Sequence, residues 1–171
     1  MKSVTSYLLA ILLAAASVGA AFASGTHADG HDDAAIGKPG DVKSVTRTIE
    51  IDMNDKMRFT PSSITAKQGE TIQFVITNSG KIKHEMVLGT EKELKEHYEL
   101  MKKNPEMEHD DPNQVTLAPG RKGEIVWQFT KAGKVDLACL QPGHYDAGMK
   151  GKVTVSAGKG KGTDDQKGPA H

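Results

Sequence analysis

Short runs of alternating apolar and polar residues fill the middle of the chain. In one of them Ile72, Phe74 and Ile76 fall on the same face, as in a strand with one face in a core. The pattern predicts seven strands: Val45–Ile51, Ile64–Ala66, Thr71–Thr77, Glu85–Leu88, Glu124–Phe129, Lys134–Leu140 and Lys150–Val155. Trp127 and Phe59 fit the alternation and are predicted core aromatics. Seven short strands separated by Gly, Asn and Pro turns favour an all-β fold, a β-sandwich.

One segment departs from the strand pattern. Glu91–Lys103 consists mostly of strong helix formers, and its apolar residues are spaced i, i+4, i+7 on one face: Leu94, Tyr98 and Met101. The sequence predicts a helix here, ended by Pro105 and followed by a strand near Gln114–Leu117. We interpret residues 91–104 as a helical insertion between the two halves of the sandwich.

The first residues have the features of a secretory signal peptide. Lys2 supplies positive charge, Tyr7–Ala21 is apolar, and an A-x-A cleavage sequence ends at Ala23. The alternative is an uncleaved anchor, but the apolar run is short for a bilayer span. Residues 1–23 are predicted to be removed, which leaves a periplasmic protein with no membrane association.

The flanks of the mature chain differ in composition from its centre. Residues 24–43 are rich in Gly, Ala, Asp and His and are predicted to be a disordered arm, and residues 157–171 a disordered tail. The folded domain is expected over residues 44–156, as one core and a monomer. Lys plus Arg and Asp plus Glu both number 22, and no basic stripe is interleaved with aromatics, so nucleic-acid binding is not expected.

The single cysteine lies in the most informative stretch. From Cys139 to Met149 the sequence is CLQPGHYDAGM, with four residues between Cys139 and His144 and four between His144 and Met149. A lone thiol in an oxidising compartment forms no internal disulfide. A thiolate, an imidazole and a thioether from one loop at a strand end suit copper that cycles between Cu(I) and Cu(II). The simpler alternative is that Cys139 and Met149 only fill the core.

A trigonal copper site of this type needs a second imidazole. His84 is the best candidate, because it follows the Asn-Ser-Gly turn that begins at Asn78 and opens a predicted strand. His97 and His109 fit less well, because they lie in and just after the charged helical insertion. The predicted copper ligands are therefore His84, Cys139, His144 and, more weakly, Met149.

The stretches HEMVLG from His84, MEHDDP from Met107 and CLQPGH from Cys139 carry a family resemblance. Across roughly residues 45–155 the chain resembles the cupredoxins, which include plastocyanin, azurin and auracyanin, and more narrowly a periplasmic bacterial subfamily linked to copper tolerance. The resemblance implies a Greek-key sandwich with three equatorial ligands and an axial Met149. Many cupredoxins carry Asn directly after the first His ligand, whereas this chain has Glu85, so the surroundings of the metal are expected to differ.

Further His and Met residues raise the question of accessory copper sites. His97 and Met101 are i, i+4 on the predicted helix, and Met107 and His109 follow closely, so one interpretation is a second, softer Cu(I) site. The other is that these methionines fill gaps in packing. Near the mature amino terminus, His27 and His31 either bind Cu(II) or belong to a solvated tail.

Two functions agree with these residues. One is copper tolerance, in which the exported protein binds excess copper and cycles it between Cu(I) and Cu(II). The other is diffusible one-electron transfer to a redox partner protein through His144. A copper enzyme is not expected, because such enzymes need further copper centres. Paired His-x-His motifs for them are absent from the chain, and its one cysteine is too few for a dinuclear centre.

Overall fold

The alternating segments form two β-sheets that enclose one apolar core. A computed structural model describes residues 33–105, 107 and 110–158. Its strands are β1 (Lys38–Pro39), β2 (Arg47–Asn54), β3 (Arg58–Thr60), β4 (Ser63–Lys67), β5 (Thr71–Asn78), β6 (His84–Gly89), β7 (Gln114–Leu117), β8 (Lys122–Gln128), β9 (Gly133–Ala138) and β10 (Lys150–Ser156). Helices α1 (Asp33–Ile36) and α2 (Glu91–Lys103) and a 3-10 turn (Val42–Ser44) complete the elements.

The strand order is β1-β8-β5-β2-β3 in the first sheet and β4-β10-β9-β6-β7 in the second. Strands β2 and β5 pair in parallel, as do β4 and β10, and the other pairs are antiparallel. Since neighbours in a sheet are often distant in sequence, the chain crosses between sheets, which gives a β-sandwich of the predicted class. All seven predicted strands, and the one near Gln114, are confirmed within a few residues at their ends.

The core lies between the sheets. Trp127, Phe74 and Phe129 are fully buried there, and Phe59 is 2% exposed, as the alternation predicts. The rings of Phe74 and Phe129 meet edge to face with centroids 6.3 Å apart, a favourable geometry for aromatic pairs. This packing supplies a rigid base for the loops at the sheet ends.

Helix α2 covers the outer face of the second sheet. Its buried side chains are those predicted from the spacing, namely Leu94, Tyr98 and Met101. They pack on Val87 of β6 and Ala138 of β9, whose neighbours face the core. Strand β6 is therefore buried on both faces along its whole length. A capping box between Thr90 and Glu93 starts the helix.

The prediction of a disordered arm fails for residues 33–43, the part of the arm that the structure describes, because this segment is folded onto the first sheet. Ile36 is 2% exposed, its carbonyl accepts a hydrogen bond from the Trp127 indole at 2.8 Å, and β1 pairs with the Gln128 end of β8. Gly37 has φ of +117°, and a Cβ there would collide with the Gln128 backbone, so only glycine fits this approach. Composition alone missed this because one isoleucine and one glycine secure the segment.

Other predictions about the ends of the chain concern residues that the structure does not describe. The signal peptide, residues 24–32 of the arm and residues 159–171 of the tail lie outside the described residues. In the described part of the chain, no helix has the length and apolar character needed to cross a bilayer.

We expect Ile36→Ala to lower the free energy of unfolding of the metal-free protein by about 2 kcal/mol or more, because it leaves a cavity beside Trp127. Val42→Ala is the control, since Val42 is 66% exposed and its truncation is expected to change stability by no more than about 0.5 kcal/mol. Urea denaturation of both variants measures the difference. Equal midpoints would show that the segment before β2 contributes nothing to the fold.

Candidate metal centre

Two adjacent strands bring the first two candidate ligands together. His84 opens β6, and Cys139 directly follows β9, which pairs antiparallel with β6. Both residues therefore lie at the same end of the second sheet. His144 comes from the turns that follow Cys139, and the ligand atoms of the three residues all lie within 4.8 Å of one another.

Cys139 is fully buried at the centre of this group. Its Sγ lies 3.3 Å from His144 Nδ1 and accepts a hydrogen bond from the backbone N–H of Glu85 at 3.3 Å. Its own N–H donates to the Met149 carbonyl at 3.0 Å. The sulfur thus faces one imidazole directly, and backbone contacts hold it in place.

His84 is also fully buried, and its two ring nitrogens differ. Nε2 lies 3.1 Å from Asp55 Oδ1, whereas Nδ1 is buried without a hydrogen-bond partner in the part of the chain that the structure describes. The His84 and His144 rings lie 4.9 Å apart between centroids. Leaving a buried polar atom unpaired costs about 1–3 kcal/mol, so an unpaired imidazole nitrogen beside a thiol and a second imidazole is typical of a metal ligand.

The Cys139 thiol and the His144 imidazole are neutral before a metal binds. Burial raises the pKa of Cys139 to about 12, so the group is a thiol at neutral pH. Burial lowers the pKa of His144, and the nearby His84 lowers it further. The backbone N–H of Lys81 and then His84 lower the pKa of Asp55, which keeps that carboxylate ionised. Two imidazoles and a thiol that becomes a thiolate suit copper.

Asn78 fixes the loop that leads into His84. It is fully buried at the end of β5, and its amide donates to the carbonyls of Ile82 at 2.8 Å and Leu117 at 2.9 Å. Its side-chain oxygen accepts from the N–H of Gly80 at 2.9 Å. The loop between β5 and β6 is therefore held in one conformation before any ligand arrives.

Consecutive turns shape the segment after Cys139. The N–H of His144 donates to the Gln141 carbonyl, and the N–H of Met149 donates to the His144 carbonyl, both at 3.0 Å. Gly143 and Gly148 adopt φ of +85° and +90°, which glycine permits without strain. These turns direct His144 back toward Cys139.

Helix α2 is bonded to the same loop through Tyr98. The Tyr98 hydroxyl accepts from the N–H of Gly143 at 2.9 Å and donates to Asp146 at 2.8 Å. Its ring stacks on that of Tyr145 with centroids 5.0 Å apart. The insertion therefore braces the loop that carries His144.

Met149 is fully buried in the same apolar cluster as Cys139. Its backbone forms hydrogen bonds with the backbones of both Cys139 and His144, so Met149 lies next to these two candidate ligands. Its role as an axial ligand stays a prediction.

The residue after His84 departs from the family pattern as expected. The backbone N–H of Glu85 bonds to the Cys139 sulfur, and one carboxylate oxygen accepts from the Thr116 hydroxyl at 3.1 Å. The backbone contact needs no particular side chain, so Glu85 still supports the sulfur. That the Glu85 carboxylate changes the surroundings of the metal stays a prediction.

The structure separates the predicted accessory residues. Met101 is 1% exposed within the cluster under α2, which favours packing, whereas Met107 is 38% exposed. His97 is half-buried on α2 and lies apart from the group formed by His84, Cys139 and His144. The others, His27, His31 and His109, lie outside the described residues. Accessory copper binding stays a prediction.

Sequence reasoning missed three supporting side chains. Asp55 sits in the turn between β2 and β3 and meets His84 across 29 residues. The sequence pattern predicts Asn78 only as a turn residue and Tyr98 only as part of a helix face. The signal available for Asn78 is a polar residue at the end of a predicted apolar strand. Nothing in the sequence pairs Asp55 with His84.

Comparisons with known proteins identify a family of copper-binding proteins. A family model described as copper binding proteins, plastocyanin/azurin family, matches residues 45–156. A protein named copper-resistant cuproprotein CopI from Rubrivivax gelatinosus is 53% identical over 133 residues, which are 77% of this chain and 79% of that protein. A protein of the same name from Pseudomonas aeruginosa is 35% identical over 167 residues, covering 81% and 92%.

Solved structures show the same fold. Reduced auracyanin from the photosynthetic bacterium Roseiflexus castenholzii is 25% identical with a TM-score of 0.56, covering 66% of this chain and 98% of that one. Auracyanin A from Chloroflexus aurantiacus, 23% identical with a TM-score of 0.54, covers 64% and 98%. Both agree with the sandwich described above. The chain therefore belongs to the plastocyanin/azurin family of copper-binding proteins, the cupredoxins, and its relatives include copper-resistance cuproproteins.

Proposed function

We propose that this cupredoxin binds one copper ion through His84, Cys139 and His144, with Met149 as a weaker axial ligand, and that it serves copper tolerance in the periplasm. The observation that carries the proposal is the buried group of two imidazoles and one thiol, in which His84 Nδ1 has no other partner among the described residues. The name of the 53% identical relative, a copper-resistant cuproprotein, supports the biological role.

The chain's own residues hold the donors in place before copper arrives. Copper, when bound, supplies a one-electron couple between Cu(I) and Cu(II). The sandwich fixes His84 and Cys139 on paired strands, and the turns after Cys139 fix His144. Because these positions are set by backbone bonds, the donors need little rearrangement when the charge at the site changes.

The proposed location outside the cytoplasm rests on the predicted signal peptide, and Cys139 is compatible with it. A single cysteine forms no internal disulfide, and this one is fully buried, which protects it from oxidising conditions. We propose that the protein acts as a monomer and is not an enzyme.

A second function, one-electron transfer, is favoured by one observation. His84 is fully buried, whereas His144 is half-buried beside the exposed Pro142 and Gly143. An electron would therefore leave through the His144 ring to a partner protein at this surface. Tolerance and electron transfer are compatible, because both use a copper that changes oxidation state.

When Cu(II) is added to the purified protein, we expect an intense visible absorption band from thiolate-to-copper charge transfer. Cys139→Ser should lose this band, because an alcohol oxygen does not replace the thiolate. Far-UV circular dichroism serves as the folding control. A band of equal intensity in the folded variant would refute the ligand assignment.

Copper affinity is expected to rise with pH. The Cys139 thiol, with its pKa raised to about 12, must lose its proton to bind the metal, while the lowered pKa of His144 leaves that imidazole already neutral. Binding should release about one proton, so the affinity for Cu(I) should increase about tenfold per pH unit between about pH 7 and 9. Anaerobic competition with a colorimetric Cu(I) chelator of known protonation measures this slope. A flat profile would mean that the buried thiol is not a ligand.

In a bacterium that carries this gene, its deletion should lower the copper concentration that arrests growth. The native gene should restore tolerance, whereas a copy encoding Cys139→Ser, expressed at the same level, should not. Respiration without added copper is measured in parallel. Unchanged copper sensitivity combined with impaired respiration would favour electron transfer over tolerance.

A further inference from the structure

The turn between β2 and β3 places a carboxylate behind one candidate ligand. Asp55 Oδ1 lies 3.1 Å from His84 Nε2, on the far side of the ring from the orphaned Nδ1. The His84 side chain is fully buried, whereas that of Asp55 is 39% exposed. The carboxylate thus occupies one ring nitrogen of His84 and leaves the other, Nδ1, for a different partner.

The carboxylate is held firmly in this position. Both of its oxygens accept from the backbone N–H of Lys81, at 3.1 and 2.8 Å. Gly80 lets the loop come this close, because a Cβ there would collide with the Asp55 carboxylate. Asn78 fixes Gly80 in turn. The contact is therefore held by a hydrogen-bond network that starts at the buried Asn78, and it is more than a chance meeting of surface side chains.

We propose that Asp55 is a positioning residue for the metal centre. It holds His84 with Nε2–H toward the carboxylate and with the Nδ1 lone pair toward copper. Its negative charge also favours Cu(II) over Cu(I). This inference rests on the proposed ligand set. Neither the sequence pattern nor the family comparison assigns Asp55 a role.

Two physical effects lead to this role. A neutral imidazole carries its proton on one nitrogen, and an anionic acceptor next to Nε2 selects the form whose lone pair lies on Nδ1. A negative charge behind a ligand also makes that ligand a better donor and stabilises the more highly charged ion. The first effect strengthens binding of both oxidation states, and the second distinguishes between them.

Asp55→Asn separates the two effects. An amide oxygen still accepts from His84 and Lys81, so the ring keeps its orientation, but the charge is gone. We expect Cu(II) affinity to fall at least tenfold relative to Cu(I), which corresponds to a rise of about 59 mV or more in the reduction potential. Glu50→Gln is the control, because it removes one negative charge from an exposed position on β2. Its potential should stay within a few millivolts of the wild type.

Spectroelectrochemical titration of the copper-loaded proteins measures these potentials. An Asp55→Asn potential equal to that of Glu50→Gln would overturn the charge effect. If the wild type lacks the thiolate band altogether, the ligand proposal fails first, and the two failures are thereby distinguished.

A measurement on the metal-free wild type keeps the inference testable if the variant does not fold. Side-chain 15N chemical shifts of His84 should report a protonated Nε2 and an unprotonated Nδ1. The opposite tautomer would overturn the positioning role, whatever the behaviour of the variants.

Discussion

The antiparallel pairing of β6 with β9 is the constraint on which the metal centre depends. It places His84 and Cys139 at one end of the second sheet and lets the N–H of Glu85 donate to the sulfur. A buried thiol beside two imidazoles is an unfavourable group of polar atoms unless something binds them. The apolar core supplies the stability that holds these donors close together, so the candidate site for a soft ion is formed by the protein alone.

The helical insertion extends this constraint to the third donor. By covering the outer face of the second sheet, α2 completes the burial of β6, which carries His84, and packs on Ala138 of β9, the residue before Cys139. Its Tyr98 hydroxyl then bonds to the turn that positions His144. One helix thus stiffens the sheet and the loop together, which links an element outside the sandwich to the geometry of the site.

Much of this arrangement can be predicted from the sequence, but the contacts of two residues cannot. Strand alternation, the i, i+4, i+7 face of α2 and the spacing from Cys139 to Met149 are local signals, and the strands, the helix and the nearness of Cys139 to His144 followed from them. Asp55 and Ile36 act through contacts with residues far along the chain, His84 and Trp127 respectively. Such contacts leave no periodic trace, and only the fold reveals them.

The anchoring of the amino-terminal segment has a geometric consequence. Strand β1 pairs with the Gln128 end of β8, whereas the other end of β8, at Lys122, pairs beside Asn78 and the metal centre. Seven residues of strand run roughly 20 Å. The first described residues of the domain therefore lie at the end of the sandwich opposite the metal centre, so a partner that approaches the half-buried His144 ring does not meet them.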